Sequence, residues 1–523
     1  MGASLFRIIL AICFKIIEAV CTLLTITNYW KKPRRCPLIK DKILLYPACI
    51  LAEKIRKREI KCETVINTYI SRIKAVNPIL NAVVENRFAL AIKEAKGTDE
   101  MLATTRLSVE EIADKFPLLG LPLTVKESVA LQGSSHCSGR IFPEVRRAMK
   151  DADALRLCKE AGAIPLLVSN TPELCMNFET FNKVTGTTCN PYDTRRTPGG
   201  SSGGEGALLG SGASLIGIGS DLCGSIRLPP HFCGVWGHKP SPGAVSNRGH
   251  YPDCREREIW KQVLHIGPMT RYAIDLPLLF KVIVEKDAVP LLELDKQVPV
   301  ENIKCYYTEN DGGSVLTHPI HKDIINALRR FVTHLSSKCK VQELQLKDLQ
   351  YSAELAFIKF FSIDDIDNLF ENNGEGAFLE LMRFLTFRSN SVFPPILYGI
   401  LKRITSICLQ KSAITYCNDK ISRLRRKLCD ILGKDGVLLY PSHPTAAGFH
   451  GQNNGKVADY SYMAIFNCLG FPVTNCPLGL NSEGLPIGIQ VIAAPNNDRL
   501  TLAVAQEIEK EFGGWIPPPF EDN

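Results

Sequence analysis

The chain has 523 residues, of which 45% are hydrophobic and 22% are charged, and its formal net charge at pH 7 is +8. This composition is globular, and the length allows either two or three ordinary domains or one large α/β unit. Part of the positive charge is concentrated in residues 31–35 (Lys-Lys-Pro-Arg-Arg) and not along a helix face, so we expect no nucleic-acid partner.

The cysteine pattern indicates neither a metal site nor a disulfide framework. The 19 cysteines extend from Cys13 to Cys476, are odd in number and are never spaced as C-x-x-C. We expect most of them to be small buried apolar residues, and we expect no metal and no cofactor. The sequence also contains no Asn-x-Ser/Thr acceptor, which favours a body that faces the cytoplasm.

The amino terminus carries an apolar stretch, residues 8–27, that is long enough to cross a bilayer. Lys15 and Glu18 lie near its middle, and their insertion cost of about +5 to +7 kcal/mol offsets roughly −3 to −6 kcal/mol from the apolar residues. Spanning is therefore marginal. On a helix the least apolar residues form one stripe, namely Arg7, Ala11, Lys15, Glu18, Thr22 and Thr25.

This stripe leaves two membrane arrangements open. The helix either lies in the headgroup plane or spans the bilayer and packs its stripe against a partner. In both arrangements the basic residues 31–35 hold that end on the cytoplasmic side. A cleaved signal peptide is not expected, because no small-x-small site precedes the basic residues. We divide the chain into a membrane-anchoring helix with its basic flank, residues 1–35, and a body, residues 36–523.

The body alternates helical segments with short apolar runs flanked by Gly or Pro, which is typical of an α/β protein. Helices are predicted at 64–76 and 82–96. Core strands are predicted at 121–125, 164–168, 215–219, 437–440 and 487–493. Ligands of open α/β sheets bind at the carboxyl ends of strands, so we expect Lys126, Asp221 and Ser225, each of which follows a predicted strand, to converge.

Residues 300–430 differ from the rest of the body because they are helical, richer in charge and poorer in glycine. Within them, residues 393–403 form an apolar segment that ends in Lys402 and Arg403. We interpret this segment as an ordinary buried helix, and the alternative is a cap that dips into the membrane.

Two serines lie in glycine-dense backbone, Ser201 within residues 199–204 and Ser225 within residues 219–227. Glycines let main-chain N–H groups approach a reacting carbonyl and turn inward, as an oxyanion hole requires. The pattern therefore indicates acyl-transfer chemistry.

A serine hydrolase with a nucleophile elbow is one interpretation, because residues 199–203 and 200–204 both match G-x-S-x-G. A true elbow lies on a strand-to-helix turn, whereas residues 190–198 upstream read as a loop. His443, which follows Asp435, is the candidate base, but it lies in a proline-bounded turn. We do not favour this interpretation.

Lys126 offers a different base. It directly follows an apolar strand, where burial disfavours the charged ammonium. A neutral amine beside hydroxyl groups is a competent general base. The structural alternative is a strand-end lysine paired with Glu127, and Lys126 alone would not decide between the two.

The combination of Lys126, Ser201 and Ser225, with residues 199–206 and 221–229 around the serines, resembles the amidase signature family. The resemblance covers nearly everything from about residue 45 to 515. It implies an α/β fold with a large twisted mixed β-sheet core flanked by many helices, to which this chain adds its N-terminal membrane helix. Within the family, that helix and residues 169–176 are most similar to the membrane-bound fatty acid amide hydrolases, particularly their second type.

The resemblance also implies a role for each site residue. Ser225 is the nucleophile, Ser201 follows a cis peptide bond and relays the proton, and Lys126 is the base. The implied oxyanion hole consists of the backbone N–H groups of Leu222, Cys223, Gly224 and Ser225. The implied supporting residues are Ser202, Asp221 and Arg227, of which Asp221 anchors the loop.

The implied activity is hydrolysis of fatty acid primary amides and N-acylethanolamines to a free fatty acid and an amine through an acyl-enzyme. A long acyl chain partitions into the bilayer, where an anchored enzyme meets it at high local concentration. An apolar tunnel would supply the binding energy. The resemblance further implies a homodimer.

Two residues depart from the family pattern. Cys223 replaces a glycine inside the implied oxyanion loop, where a side chain restricts the backbone torsions, and Pro230 replaces a small residue. One alternative is therefore a weakly active or catalytically silent lipid-binding homologue. Another is an amidotransferase-like subunit that receives ammonia from a partner, although such a subunit needs no membrane helix.

Overall fold

A mixed eleven-stranded sheet forms the centre of the body, and the strands follow the order β11-β10-β12-β14-β13-β8-β9-β7-β3-β4-β2. The computed structural model describes residues 2–364, 366–370 and 374–521. Strands β3, β4 and β7 pair in parallel, as do β10, β11 and β12, and antiparallel strands connect the two groups. The mixed sheet flanked by helices that the resemblance implies is thereby confirmed.

The strands are β1 (Cys36–Pro37), β2 (Val83–Asn86), β3 (Pro122–Lys126), β4 (Ile164–Ser169), β5 (Phe181–Asn182), β6 (Gly186–Thr187), β7 (Ile216–Asp221), β8 (Trp236–Lys239), β9 (His265–Thr270), β10 (Lys304–Tyr307), β11 (Val341–Glu343), β12 (Gly436–Pro441), β13 (Val473–Leu480), β14 (Pro486–Ala493) and β15 (Phe520–Glu521). Strands β1 and β15 pair with each other, as do β5 and β6.

The helices are α1 (Gly2–Trp30), α2 (Ala48–Arg56), α3 (Cys62–Leu80), α4 (Phe88–Thr104), α5 (Val109–Lys115), α6 (Asp153–Glu160), α7 (Gly203–Gly210), α8 (Leu228–Cys233), α9 (Arg257–Val263), α10 (Asp275–Ile283), α11 (Val289–Leu292), α12 (Lys322–Ser336), α13 (Ser352–Phe361), α14 (Ala377–Leu385), α15 (Phe393–Cys408), α16 (Lys411–Leu432), α17 (Ser461–Leu469) and α18 (Asp498–Phe512). They cover the sheet and bury its apolar side chains in one large cluster and several smaller ones.

The five predicted core strands are confirmed as β3, β4, β7, β12 and β14, each within two residues of its expected ends. Apolar residues on both faces of β3, β4 and β7 are buried, which explains why these strands are continuous hydrophobic runs. Because β3 and β7 are parallel neighbours, their carboxyl ends meet at one edge of the sheet. That arrangement brings Lys126 close to the residues at the end of β7.

The predicted helix at 82–96 is wrong over its first part. Asn81 adopts a left-handed conformation with φ 52° and ends α3, and residues 83–86 form strand β2 beside β4. The β-branched pair Val83-Val84 is better suited to a strand, and the helix begins only at Phe88.

Several strands of the sheet were not predicted. Strands β9 and β13 contain proline and glycine, and β8 carries His238 and Lys239, so their sequences do not show the apolar runs of central strands. All three are nevertheless almost wholly buried in the sheet.

Helix α1 extends beyond the predicted apolar stretch and packs along the body. Arg7 forms an ion pair with Glu354 at 2.6 Å, Glu18 contacts His318 at 2.8 Å, and Asn28 donates to a backbone carbonyl at 2.9 Å. The polar stripe is therefore partly correct, because Lys15 and Thr22 point to solvent whereas Arg7, Ala11, Glu18 and Thr25 lie on the body side. The outer face is mostly apolar and exposed. The segment Arg7–Trp30, with 24 residues, is long and apolar enough to cross a membrane.

Residues 300–430 are mainly helical, as predicted, although they also contribute strand β10 and the edge strand β11. The expected buried helix at 393–403 forms the first part of α15, where Phe393 is exposed and the other residues are buried or half-buried. Ile396 is buried, and Lys402 is buried and pairs with Asp364 at 2.7 Å, whereas Ile404 and Ile407, beyond the predicted segment, face solvent. The neighbouring helix α14 is also amphipathic, with its apolar face exposed.

Candidate active site

Lys126 is the last residue of β3, and its side chain is fully buried. Its amine lies 2.6 Å from Ser201 Oγ and 2.9 Å from Ser220 Oγ. Neither hydroxyl carries a charge that would hold a proton on the lysine. Burial therefore lowers the pKa of Lys126, which favours the neutral amine that a general base requires.

Glu127 does not pair with this lysine, although it is the next residue. Its carboxylate accepts hydrogen bonds from the Ser135 hydroxyl at 2.6 Å and from the backbone N–H of Gly139 at 2.8 Å. Successive side chains of a strand point to opposite faces, so the structural alternative of a Lys126–Glu127 pair is not formed.

Ser220 is a site residue that the sequence analysis missed. It lies near the carboxyl end of β7, where its hydroxyl contacts Lys126 Nζ, Ser128 Oγ at 3.4 Å and His250 Nε2 at 2.9 Å. The signal available in the sequence was positional. If β3 and β7 are recognised as parallel neighbours, the residues that end β7 must face Lys126.

Ser201 is held by close backbone packing. The Gly200–Ser201 peptide bond is cis, as the resemblance implies. A side chain at Gly200 would approach the backbone oxygen of Asn177 to 2.7 Å, so this segment admits only glycine. The Thr171 hydroxyl donates to the Ser201 carbonyl at 2.9 Å, which directs the serine side chain towards Lys126.

Ser202 begins the next element and does not contact the amine. It is the N-cap of α7, it is fully buried, and its hydroxyl donates to the Ser220 carbonyl at 3.4 Å. Ser202 therefore links the glycine-rich segment to the end of β7.

A buried ion pair organises the loop that carries Ser225. The carboxylate of Asp221 and the guanidinium of Arg227 approach to 3.0 Å, and both side chains are completely buried. The same carboxylate accepts the backbone N–H groups of Gly224 at 2.7 Å and Ile226 at 3.0 Å. Burial alone would raise the pKa of Asp221, but Arg227, Asn467 and these N–H groups outweigh it and hold the pKa far below its usual range.

Ser225 lies in the middle of this loop and is 7% exposed. Within the described part of the chain its hydroxyl forms no hydrogen bond, so the structure joins Lys126 to Ser201 but records no bond from Ser201 to Ser225. The N–H of Gly224 is donated to Asp221, whereas no described acceptor receives the N–H groups of Leu222, Cys223 and Ser225. Three of the four implied oxyanion donors are therefore unengaged.

The two departures from the family pattern fit this backbone. Gly224, at φ 120°, occupies a conformation that favours glycine, and a side chain there would approach Met463 Sδ to 2.8 Å. Cys223 is not among the described residues with a positive φ, and its side chain packs in an apolar cluster with Trp260 and Ala464. Pro230 lies in the first turn of α8, where the helix needs no N–H donor.

Cys175 is a second site residue that the sequence analysis missed. Its thiol lies 3.4 Å from Thr171 Oγ1 and close enough to Lys126 and His250 to interact with both. Burial works to raise the pKa of this thiol, but Lys126 and His250 outweigh burial and lower it. In turn, a Cys175 thiolate raises the pKa of Lys126 against the larger effect of burial, so thiol and amine compete for one proton.

The serine hydrolase interpretation with His443 and Asp435 is wrong. Asp435 precedes β12, is half-exposed and pairs with Lys304 at 3.0 Å, whereas His443 follows the other end of that strand. His443 is buried against the rings of Phe232 and Tyr460, and burial lowers its pKa to about 4. Asp435 and His443 therefore lie at opposite ends of β12 and cannot form a catalytic pair.

Comparison with known proteins agrees with the fold. The model of the Amidase family matches residues 64–502. The chain is 41% identical over 500 residues to "Fatty-acid amide hydrolase 2" of Homo sapiens, covering 92% of this chain and 91% of that protein. It is 40% identical to "Fatty-acid amide hydrolase 2-B" of Danio rerio, covering 93% of each.

A solved structure of "Fatty acid amide hydrolase" superimposes with a TM-score of 0.74 at 20% identity, covering 91% of this chain and 87% of that one. At this identity the superposition supports the shared fold. Together with the family match over most of the chain, these findings show that the chain belongs to the amidase family and is a hydrolase of amide C–N bonds.

Proposed function

We propose that this amidase hydrolyses fatty acid amides, both primary amides and N-acylethanolamines, with Ser225 as nucleophile, Ser201 as proton relay and Lys126 as base. The observation that carries the proposal is the buried Lys126 amine, hydrogen-bonded at 2.6 Å to the hydroxyl of Ser201. The substrate class rests on the names of the relatives that are about 40% identical over nearly the whole chain.

The first half of the reaction forms an acyl-enzyme. Ser225 Oγ attacks the amide carbonyl carbon, its proton passes to Ser201 Oγ, and the Ser201 proton passes to the neutral Lys126 Nζ. The carbonyl oxygen becomes an oxyanion, which the N–H groups of Leu222, Cys223 and Ser225 stabilise. When the C–N bond breaks, the proton on Lys126 returns through Ser201 to the leaving amine.

The second half repeats the same proton path with water. A water molecule attacks the acyl-enzyme carbonyl, and its proton moves through Ser201 to Lys126. The ester bond to Ser225 then breaks, Ser225 Oγ recovers a proton, and a fatty acid leaves. Catalytic hydrogen bonds are often longer without substrate and tighten in the Michaelis complex, which accounts for a Ser225 hydroxyl without a partner here.

The membrane is the proposed source of substrate, with residues 1–35 as the anchoring segment. Arg7 and Glu18 of helix α1 pair with side chains of the protein's own body, so these charges need no second membrane protein. Its outer face presents large apolar side chains, among which Leu23 and Leu24 are 69% and 75% exposed. A helix with a polar side held by the body and an apolar side outward is suited to lie flat on a bilayer, with α14 and α15 as further apolar contacts.

The nucleophile is tested with a fluorophosphonate probe and a mixture of primary amides and N-acylethanolamines. We expect wild-type protein to be labelled and to release fatty acid without a partner chain, because the site holds a base and a nucleophile of its own. Ser225→Ala should abolish both signals. The control is Ser246→Ala, in a different loop, which removes a hydroxyl that donates to Asp153 and should change neither signal. Undiminished labelling of Ser225→Ala would contradict the assignment, and a requirement for a partner would favour the amidotransferase-like alternative.

The shared proton of Cys175 and Lys126 predicts a shift in the pH profile of kcat/KM. The base is active when Lys126 is neutral, so activity rises with pH through the lowered pKa of Lys126. Cys175 raises that pKa, and Cys175→Ala should therefore move the acidic limb to lower pH. Cys158→Ala is the matched control, because that buried thiol is perturbed by burial alone. An acidic limb that stays in place in Cys175→Ala would refute the coupling.

The fit of Cys223 predicts that restoring glycine has little effect. We expect Cys223→Gly to change kcat/KM by less than about threefold, because Cys223 needs no glycine-specific conformation. Gly224→Ala should lower kcat about 100-fold or more, the typical effect of losing an oxyanion donor, because it displaces the loop. A large gain of activity in Cys223→Gly would instead support the weakly active or silent homologue.

The flat orientation of α1 is tested by binding to phosphatidylcholine vesicles. Leu23→Lys together with Leu24→Lys should sharply reduce co-sedimentation, because both side chains face outward and would leave the apolar layer. Thr22→Lys adds charge at an exposed position of the same helix and serves as the control. Resistance of the wild-type protein to alkaline carbonate extraction would contradict a helix that lies on the surface.

A further inference from the structure

We propose that His250, which also contacts the Cys175 thiol, is a positioning residue that, through Ser220, directs the lone pair of Lys126 towards Ser201. This inference rests on the proposed function, in which neutral Lys126 accepts the Ser201 proton. His250 lies in the loop between β8 and β9, and it is 5% exposed. Nothing in its sequence context, a lone histidine between Gly249 and Tyr251, indicates such a role.

The hydrogen bonds of His250 determine which ring nitrogen carries the proton. Its Nδ1 lies 2.7 Å from the carbonyl oxygen of Pro252. A carbonyl oxygen only accepts, so Nδ1 must donate its hydrogen there. In the neutral imidazole Nε2 is then an acceptor, and it faces Ser220 Oγ at 2.9 Å, with the Cys175 thiol as a further neighbour of the ring.

The direction of the Ser220 bonds follows from that tautomer. A hydroxyl has one hydrogen, and Ser220 gives it to His250 Nε2. Ser220 Oγ can then only accept from its two other neighbours, which are Lys126 Nζ at 2.9 Å and Ser128 Oγ at 3.4 Å. Lys126 must therefore direct an N–H at Ser220.

The orientation of the amine follows from its neighbours. A neutral amine has two hydrogens and one lone pair. Ser220 Oγ receives one hydrogen, and the Cys175 sulfur or the Ser220 carbonyl oxygen, at 3.5 Å, can receive the other. The lone pair is thereby free to accept the hydroxyl hydrogen of Ser201 at 2.6 Å, which is the transfer that the reaction needs. Without the Nε2 acceptor, the Ser220 hydrogen can turn to Lys126 and compete with Ser201 for that lone pair.

Backbone bonds hold the histidine loop against the segment that follows β3. The Tyr251 N–H donates to the Ser128 carbonyl, and the Ala130 N–H donates to the Gly249 carbonyl, at 2.8 and 2.9 Å. These bonds pair His250 with Val129, three residues beyond Lys126. The position of His250 is thus set by the backbone, which leaves Nε2 available for Ser220.

Two variants separate positioning from a structural role. His250→Asn retains a donor near the Nδ1 position for Pro252 but cannot reach Ser220, whereas His250→Gln extends an amide oxygen to the Nε2 position. We expect Asn to lower kcat by about ten- to a hundredfold, as misorientation of a reacting group does, with KM within twofold. Gln should recover most of that loss. If His250 acts only through its bond to Pro252, kcat should be higher in His250→Asn than in His250→Gln. That result would overturn the proposal.

A double-variant cycle tests the route through Ser220. If His250 acts on Lys126 by this path, His250→Asn should have no further effect on kcat in a Ser220→Ala background. Independent, multiplicative losses would overturn the route. Thermal unfolding of each variant shows whether it is folded. If a variant of the double cycle does not fold, the comparison of His250→Gln with His250→Asn decides whether His250 is a positioning residue. An inactive wild type, or an active Ser225→Ala, would instead count against the proposed function itself.

Discussion

The proposed chemistry of this amidase depends on one constraint, a lysine amine that is buried between two serine hydroxyls and the thiol of Cys175. Lys126 ends β3 inside the sheet, and its hydrogen-bond partners are the hydroxyls of Ser201 and Ser220. An ammonium in that position loses the water that would stabilise it, so burial shifts the group towards the neutral form. The pKa of histidine lies near neutral pH in water, whereas the pKa of lysine falls towards neutral pH only when burial lowers it.

Two features of the fold arrange the proposed site around this amine. The parallel pairing of β3 and β7 places Ser220 beside Lys126, and the buried Asp221–Arg227 pair shapes the loop that follows β7. Removing one partner of such a pair leaves an uncompensated buried charge and is strongly destabilising. The pair and its bonds to the backbone thus shape the loop, whose N–H groups at Leu222, Cys223 and Ser225 are the proposed donors to the oxyanion.

The sequence predicted the central strands, because these are continuous apolar runs, and it predicted that Lys126 lies near the residues that end β7. The catalytic roles of Lys126, Ser201 and Ser225 stay predictions, which rest on the dense glycine pattern and the family resemblance. It did not predict β8, β9 and β13, whose burial depends on neighbours that are distant in the chain. Ser220, Cys175 and His250 were missed for the same reason, since each is an ordinary residue that tertiary structure brings to the amine. The polar stripe of α1 was visible in the sequence, but its partners Glu354 and His318 lie far along the chain.

The protonation state of Lys126 is the most direct test of the account. Protein labelled with ¹³Cε-lysine can be titrated by NMR, and the Lys126 signal is the one that disappears in Lys126→Ala. The account predicts a midpoint well below the 10.5 of an exposed lysine, with this amine neutral in the pH range where the enzyme is active. A midpoint at or above 10.5 would contradict it, because a lysine that keeps its proton cannot accept one from Ser201.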